Sequence, residues 1–149
     1  MHWILKTEPQ VFSYADLERV GTEPWTGVRN AQARNFMRDM KVGDLALFYH
    51  SSIPDPGIVG IARVVRTAYP DPSQFDANGP YFDPKSTEDN PRWSAVDIAA
   101  VQKLPHLGLR QLKGLAGLEQ MVLLRKGNRL SVMPVAVDEW QIILGRASG

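Results

Sequence analysis

The sequence predicts an α+β protein in which a curved mixed sheet, forming a pseudo-barrel, is flanked by short helices. Two observations indicate this class. Short segments with helical periodicity are interleaved with long strand-like segments that do not follow one another directly. The chain has 149 residues, 44% hydrophobic and 22% charged, so it is long enough for a real core. We therefore expect residues 1–149 to form a single domain.

The first third of the chain predicts one strand and two helices. Residues 2–7 (HWILKT) are apolar and precede a proline, which is typical of a strand and its end. Ser13 can cap a short helix over 13–20, whose first turn is acidic. A second helix is predicted over 31–40, where apolar residues recur at i, i+3, i+4 and i+7 behind Asn30, a natural N-cap.

The middle of the chain predicts two strands and a long excursion. Residues 44–52 are apolar on both strand faces, which indicates a central strand, and 57–69 form a second strand. Gly60 within that strand marks a bulge or a close approach by another group. Residues 69–92 carry five prolines but also four aromatic side chains. We expect an ordered flap packed onto the barrel rather than a disordered linker.

The last third predicts a further strand over 92–104 and a short helix over 107–115. Residues 117–135 contain a short helical or extended piece, a KGN turn and a strand. The C-terminal segment 134–147 has a proline near its first turn and apolar residues at helical spacing, which predicts an amphipathic helix.

Composition limits the possible functions. A net charge of +1 argues against a protein that coats nucleic acid through many phosphate contacts, but permits a local basic patch. The absence of cysteine excludes disulfides and thiolate sites and favours the reducing cytoplasm. Three histidines without metal-ligand spacing predict no metal site and no cofactor. We expect no signal peptide and no membrane span, since no long apolar run is present.

Trp25 is predicted to lie in a turn between Pro24 and Gly27. Its residue type alone favours packing in the core, because large aromatic side chains dominate cores. A turn, however, is a poor place for a core residue and a good place for a platform on which a nucleobase can stack.

Two polar residues follow Trp25 before the second helix. Asn30 can cap the helix, and its amide can also read the donor and acceptor edge of a base, although both roles compete for the same oxygen. Arg29 can approach a phosphate or support the loop by pairing with a carboxylate, for which Glu23 is a nearby candidate.

Arg34 and Arg38 lie four residues apart on one side of the predicted helix. They form either a solvated face or a phosphate-binding rim beside a pocket. From residue 29 to 41 there are four basic residues and one acidic residue, and this local excess favours the rim.

Strand ends supply the remaining candidates for ligand binding. Tyr49 and His50 must point to opposite faces, so we expect one of them, followed by Ser51, to reach a cleft. Lys6 on a central strand needs water, a ligand or a carboxylate such as that of Glu8. Ser131 either lines the cleft or satisfies a backbone group.

The chain resembles the EVE domain family, a branch of the PUA-like superfamily that is related to YTH domains and includes a eukaryotic thymocyte nuclear protein. The segments that carry the resemblance are WILKTEP, WTGVRNAQARNFMRDMKVGDLALFYHS, GIVGIARVV, YFDPKS, PRWSAVD and RLSVMPV. The resemblance implies a PUA-like pseudo-barrel without known catalytic activity. It also implies a cleft that receives a modified base, with Trp25 as a cage aromatic and Lys6 on the bordering strand.

The sequence thus predicts a non-catalytic module that binds a modified nucleotide in DNA or RNA. A hydrolase is the first alternative, but His50 and Ser51 are adjacent on a strand and diverge, and no G-x-S-x-G motif is present. A scaffold that binds protein partners through the flap is the second alternative.

Overall fold

Six strands form one mixed sheet in the computed structural model, which describes residues 1–148. The strands are β1 (His2–Thr7), β2 (Thr22–Trp25), β3 (Leu45–His50), β4 (Gly57–Pro70), β5 (Ser94–Gly108) and β6 (Val132–Val135). The helices are α1 (Tyr14–Val20), α2 (Ala31–Asp39), α3 (Leu109–Lys113) and α4 (Val137–Ser148). The order across the sheet is β2-β5-β4-β3-β1-β6, with β1 parallel to β3 and every other pair antiparallel. The predicted α+β class with a mixed sheet is confirmed, and the sheet is not closed.

The two faces of the sheet bury separate apolar clusters. On β1, Trp3 and Leu5 enter the first cluster, which α1 and α2 cover, while Ile4 enters the second. The second cluster includes residues of α3 and α4, among them Leu112 and Trp140. Because both faces are covered, all three β1 side chains are almost completely buried, which explains the continuous apolar run in the sequence.

Irregular pairing between the long strands β4 and β5 curves the sheet. The register shifts at several points, one of them between Ile58 and Gly60. A Cβ at Gly60 would lie 2.5 Å from the ring of Tyr14, whose hydroxyl donates a 2.7 Å hydrogen bond to the Ile61 carbonyl. The glycine therefore marks both a bulge and a close approach, as the sequence predicts.

The predicted helices α1 and α2 form with their predicted caps. The Ser13 side chain accepts from the Asp16 amide at 3.1 Å while the Asp16 carboxylate accepts from the Ser13 amide at 2.9 Å. The Asn30 oxygen accepts from the Ala33 amide at 3.0 Å. Each such cap stabilises a helix by about 1 kcal/mol.

Two elements differ from the sequence-based expectation. Residues 22–25 form β2 instead of a turn, because Trp25 pairs with Val96 of β5 and takes the extended backbone of a strand. The strand β5 continues past residue 104 to Gly108, since Gly108 pairs with Gly57 of β4.

The excursion after β4 is ordered around buried Gln74. Its amide nitrogen donates to the carbonyls of Asp71 and Trp93, and its amide oxygen accepts from the Arg92 and Trp93 amides. The Asp83 carboxylate also accepts a 2.7 Å hydrogen bond from the Trp93 indole. These bonds order the segment between Asp71 and Trp93, which confirms the predicted flap, except that its first two predicted residues, Tyr69 and Pro70, belong to β4.

Candidate functional site

A cleft with a volume of about 590 Å³ opens where the two edges of the curved sheet approach each other. One edge contributes β2, and the other contributes the end of β1 and the segment that leads into β6. The cleft is lined by residues 6–8, 11 and 12, 23–30, 51 and 52, 129–131 and Tyr81.

Trp25 forms part of the cleft wall but is largely buried, with 8% of its surface exposed. Its ring packs edge-to-face against Phe48 and Phe12, with centroid separations of 5.7 and 6.4 Å. The predicted turn position is wrong, because Trp25 ends β2. The core role and the cleft role therefore coexist: most of the ring belongs to the first cluster, and a ligand could contact only the part that borders the cleft.

Glu23 lies beside Trp25 on the same face of β2, since the two residues are separated by one position on a strand. Its half-buried carboxyl lines the cleft and has no hydrogen-bond or ion-pair partner among residues 1–148. Burial, followed by repulsion from Asp16 and Asp97, raises the pKa of the Glu23 carboxyl. The sequence indicates Glu23 only as a partner for Arg29, because the strand β2, which places Glu23 beside Trp25, carries no local signal.

Arg29 uses all five of its N–H donors within the protein. They reach the carbonyls of Tyr81 (twice) and Val28, the Asp71 carboxylate and the Ser73 hydroxyl. The predicted support through a carboxylate is present, but the partner is Asp71 at 3.0 Å and not Glu23. A phosphate could bind this guanidinium only by displacing one of these bonds, so Arg29 positions the turn and the flap.

Asp71 anchors the turn formed by residues 27–30. It is fully buried and accepts hydrogen bonds from the Gly27 amide (2.8 Å), from Arg29, and from the amide and hydroxyl of Ser73. Burial alone would raise the pKa of this carboxyl, but the hydrogen bonds from Ser73, Gly27 and Arg29 hold its pKa below the usual range. Gly27 has a φ of +81°, and a Cβ there would lie 2.8 Å from the Tyr81 ring.

Asn30 is exposed at the rim of the cleft. Its side-chain oxygen accepts from the Ala33 amide and is therefore committed to the helix cap. The amide nitrogen has no acceptor within residues 1–148, so this residue offers a ligand a donor rather than a complete donor–acceptor edge.

Lys6, Ser51 and Ser131 meet at the same cleft, as the sequence predicts. The Lys6 amide donates to the Ser131 carbonyl at 2.8 Å, and the Ser51 amide donates to the Thr7 carbonyl at 2.9 Å. The Lys6 ammonium lies 5.7 Å from the Tyr49 ring centroid. The proposed pairing with Glu8 is wrong, because Lys6 has no carboxylate partner in the described chain, and burial lowers the pKa of its ammonium.

Neither Tyr49 nor His50 lines this cleft, but Tyr49 lines a smaller neighbouring cleft, so one of the two side chains does reach a cleft. The alternation of β3 sends Tyr49 into the second cluster, where it is 3% exposed. His50 faces the other way, and its Nε2 accepts a 3.1 Å hydrogen bond from the Tyr14 amide at the start of α1. Burial, then repulsion from His106, lowers the pKa of His50, which favours the neutral ring that this acceptor role requires.

The EVE domain model matches residues 1–146 of the chain. The chain belongs to the EVE domain family. Human thymocyte nuclear protein 1 is 41% identical over 163 residues, a match that covers 96% of this chain and 72% of the human protein. The crystal structure of a protein from Pseudomonas syringae has a TM-score of 0.96 and 50% identity, with 99% of both chains covered. Human THYN1 in complex with DNA containing 5-methylcytosine has a TM-score of 0.95 and 40% identity, covering 99% of this chain and 98% of that one.

Arg34 and Arg38 of this EVE domain lie outside the cleft, so the predicted rim position is wrong. Arg34 donates to the Arg92 carbonyl at 2.9 Å, and Arg38 donates to the Ser94 hydroxyl at 3.0 Å. Arg34 also lies over the Trp93 ring, 5.3 Å from its centroid. Burial, then repulsion from Arg38 and Arg92, lowers the pKa of Arg34. These arginines tie α2 to the start of β5.

Among residues 1–148 of the EVE domain, no helix has the length and apolar character needed to cross a membrane. No cluster of three or more His, Asp or Glu side chains in that range is arranged to hold a metal ion.

Proposed function

We propose that this EVE domain is a non-catalytic module that binds DNA and receives a modified cytosine in the cleft between β2 and β1. The observation that carries the proposal is the pairing of an aromatic wall, Trp25, with an unpartnered carboxyl, Glu23, inside one cleft. The complex of human THYN1 with DNA containing 5-methylcytosine supports it, since that protein has 40% identity and a TM-score of 0.95.

A base can reach this cleft only after it leaves its stack. Extrusion of a base costs a few kcal/mol, and stacking against an aromatic ring returns roughly 1–3 kcal/mol. Because only 8% of the surface of Trp25 is exposed, we expect a stacking contribution near the lower end of that range. The half-buried Phe12 and the buried Val28 also line the cleft and offer apolar contacts for a methyl group on the base.

The polar groups of the cleft match the edge of cytosine. The Glu23 carboxylate is suited to accept a hydrogen bond from the N4 amino group, which is the characteristic donor of cytosine. The free Asn30 amide can donate to an acceptor on the same base. Thymine carries an oxygen in place of the amino group, so its O4 would face the Glu23 carboxylate without a proton between them.

Fluorescence anisotropy with matched DNA duplexes tests the proposal. The duplexes carry 5-methylcytosine, cytosine or thymine at one position, and a single-stranded RNA with 5-methylcytosine tests the alternative nucleic acid. We expect the strongest binding for 5-methylcytosine DNA. Glu23→Gln should reduce the ratio of affinities for the 5-methylcytosine and thymine duplexes by about tenfold. Gln has nearly the shape of Glu, so the variant serves as its own folding control. Equal affinity for the three duplexes, unchanged by Glu23→Gln, would overturn the proposal.

One observation argues against a hydrolase that uses His50 and Ser51 as its catalytic pair. His50 Nε2 accepts from the Tyr14 amide and is not available to take a proton from Ser51. For the scaffold alternative, Tyr81 and Phe82 on the flap are each 42% exposed. Tyr81 lines the cleft, so its exposure is equally explained by the proposed DNA site.

A further inference from the structure

A second cleft of about 390 Å³ lies against the first and is strongly basic. Its wall includes Lys6, Lys113, Arg125 and Lys126, and no aspartate or glutamate. None of these four cations forms an ion pair within residues 1–148. A concave surface with one sign of charge concentrates the opposite charge, so the expected occupant is an anion.

Tyr49 contributes a polar group to the wall of this second cleft. The residue as a whole is 3% exposed, and its hydroxyl forms no hydrogen bond among residues 1–148. The hydroxyl oxygen itself is not one of the buried unsatisfied polar atoms of residues 1–148, so it is reachable from the cleft and can donate to a bound group. Burial raises the pKa of Tyr49 and lowers the pKa of Lys6, so a neutral phenol donor and a poorly hydrated ammonium lie together, 5.7 Å apart from ring centroid to nitrogen.

Lys6 joins the two clefts, since it lines both. The segment that precedes β6 does the same: Gly127 and Asn128 line the second cleft, and residues 129–131 line the first. Asn128 holds this segment in place by donating to the Val122 carbonyl at 2.9 Å and accepting from the Leu130 amide at 2.9 Å. An extended polymer can therefore run from one cleft to the other along this segment.

We propose that the second cleft binds a backbone phosphate of the same DNA strand whose base enters the first cleft. This inference rests on the proposed function. The phosphate oxygens would accept from Lys6, Lys113, the 125–126 pair and the Tyr49 hydroxyl. Contacts of this kind position the strand without reading its sequence.

The double variant Lys113→Gln/Lys126→Gln tests the inference. It should weaken binding of 5-methylcytosine and cytosine duplexes by the same factor, and reduce the slope of log affinity against log salt by about one to two. Lys41→Gln/Lys103→Gln is the matched control, because it removes two exposed lysines that line neither cleft. An equal effect of both double variants would overturn the inference.

Tyr49→Phe gives a second measurement with little risk to folding, since it keeps the buried ring. We expect a loss of about tenfold in affinity for both duplexes with an unchanged melting temperature. Inorganic phosphate serves as the competing probe. If phosphate binds the wild type but not the double variant, while duplex binding is the same in both, the cleft holds a free anion and the inference is wrong.

The two proposals fail differently. If the wild type shows no preference for the 5-methylcytosine duplex, the proposed function is overturned. A preserved preference, together with unchanged affinity and salt dependence in the Lys113/Lys126 variant, overturns only the phosphate site.

Discussion

Replacing Asp71 with alanine should destabilise the protein by about 3 kcal/mol. The carboxylate is 0% exposed, and its removal leaves the amides of Gly27 and Ser73 without their acceptor and Arg29 without its counter-charge. Loss of one partner from a buried ion pair typically costs about 3–5 kcal/mol. We take the lower end, because Arg29 is 22% exposed and keeps its bonds to the Tyr81 and Val28 carbonyls.

Urea denaturation followed by circular dichroism measures this change. For a chain of this size, about 3 kcal/mol corresponds to a fall of roughly 6–12 °C in melting temperature. Asp71→Asn keeps the shape and one acceptor oxygen, so it should lie between the wild type and Asp71→Ala. An alanine variant with the wild-type midpoint and slope would refute the assignment of Asp71 as the anchor of the turn and flap.

The same residue predicts a dependence on pH. Since the folded pKa of Asp71 is held below its unfolded value near 4, its stabilising contribution is present above about pH 4 and is lost as pH falls through the folded pKa. The difference in unfolding free energy between the wild type and Asp71→Asn should therefore be largest near neutral pH and shrink in acid. A difference that stays constant down to pH ~2 would contradict this linkage.

Two further substitutions test side-chain contacts on the sheet, one of packing and one of hydrogen bonding. Gly60→Ala should cost roughly 1–3 kcal/mol because the new methyl group meets the Tyr14 ring, and the additional change Tyr14→Leu should recover part of that cost in urea denaturation. Burial, with a 2.5 Å hydrogen bond to Asp97, raises the pKa of Tyr69 to about 12. Asp97→Asn should move this phenol titration toward its ordinary value near 10, which ultraviolet absorbance follows; an unchanged titration would refute the coupling.

The helices were predictable because their signals are local. Ser13 and Asn30 each lie within three residues of the amide that they cap, and the apolar stripe of α2 spans two turns. The strand β2 has no such local signal. Its four residues become extended only because Trp25 pairs with Val96, which is distant in the sequence.

Part of the candidate site was also predictable from the sequence. The sequence selected six residues that the structure brings to one cleft: Lys6, Trp25, Arg29, Asn30, Ser51 and Ser131. Their contact with a ligand stays a prediction.

The candidates that the structure places elsewhere depended on distant partners. Arg34 and Arg38 find the Arg92 carbonyl and the Ser94 hydroxyl. On opposite faces of β3, the Tyr49 ring packs in the second cluster at the wall of the second cleft, and His50 accepts from the Tyr14 amide.

The sequence by itself determined most of the helices and strands and the faces that they bury, since periodicity and caps act over a few residues. The exceptions are β2 and the end of β5, which depend on pairing with distant strands. Only the tertiary structure decided which polar groups remain available to hydrogen-bond with a ligand. Arg29 finds all but one of its partners in the flap, whereas Glu23 and the Tyr49 hydroxyl find none among residues 1–148. Hydrogen bonds between distant segments satisfy some side chains and leave others facing a cleft, and that difference arises only when the sheet curves and its two edges meet.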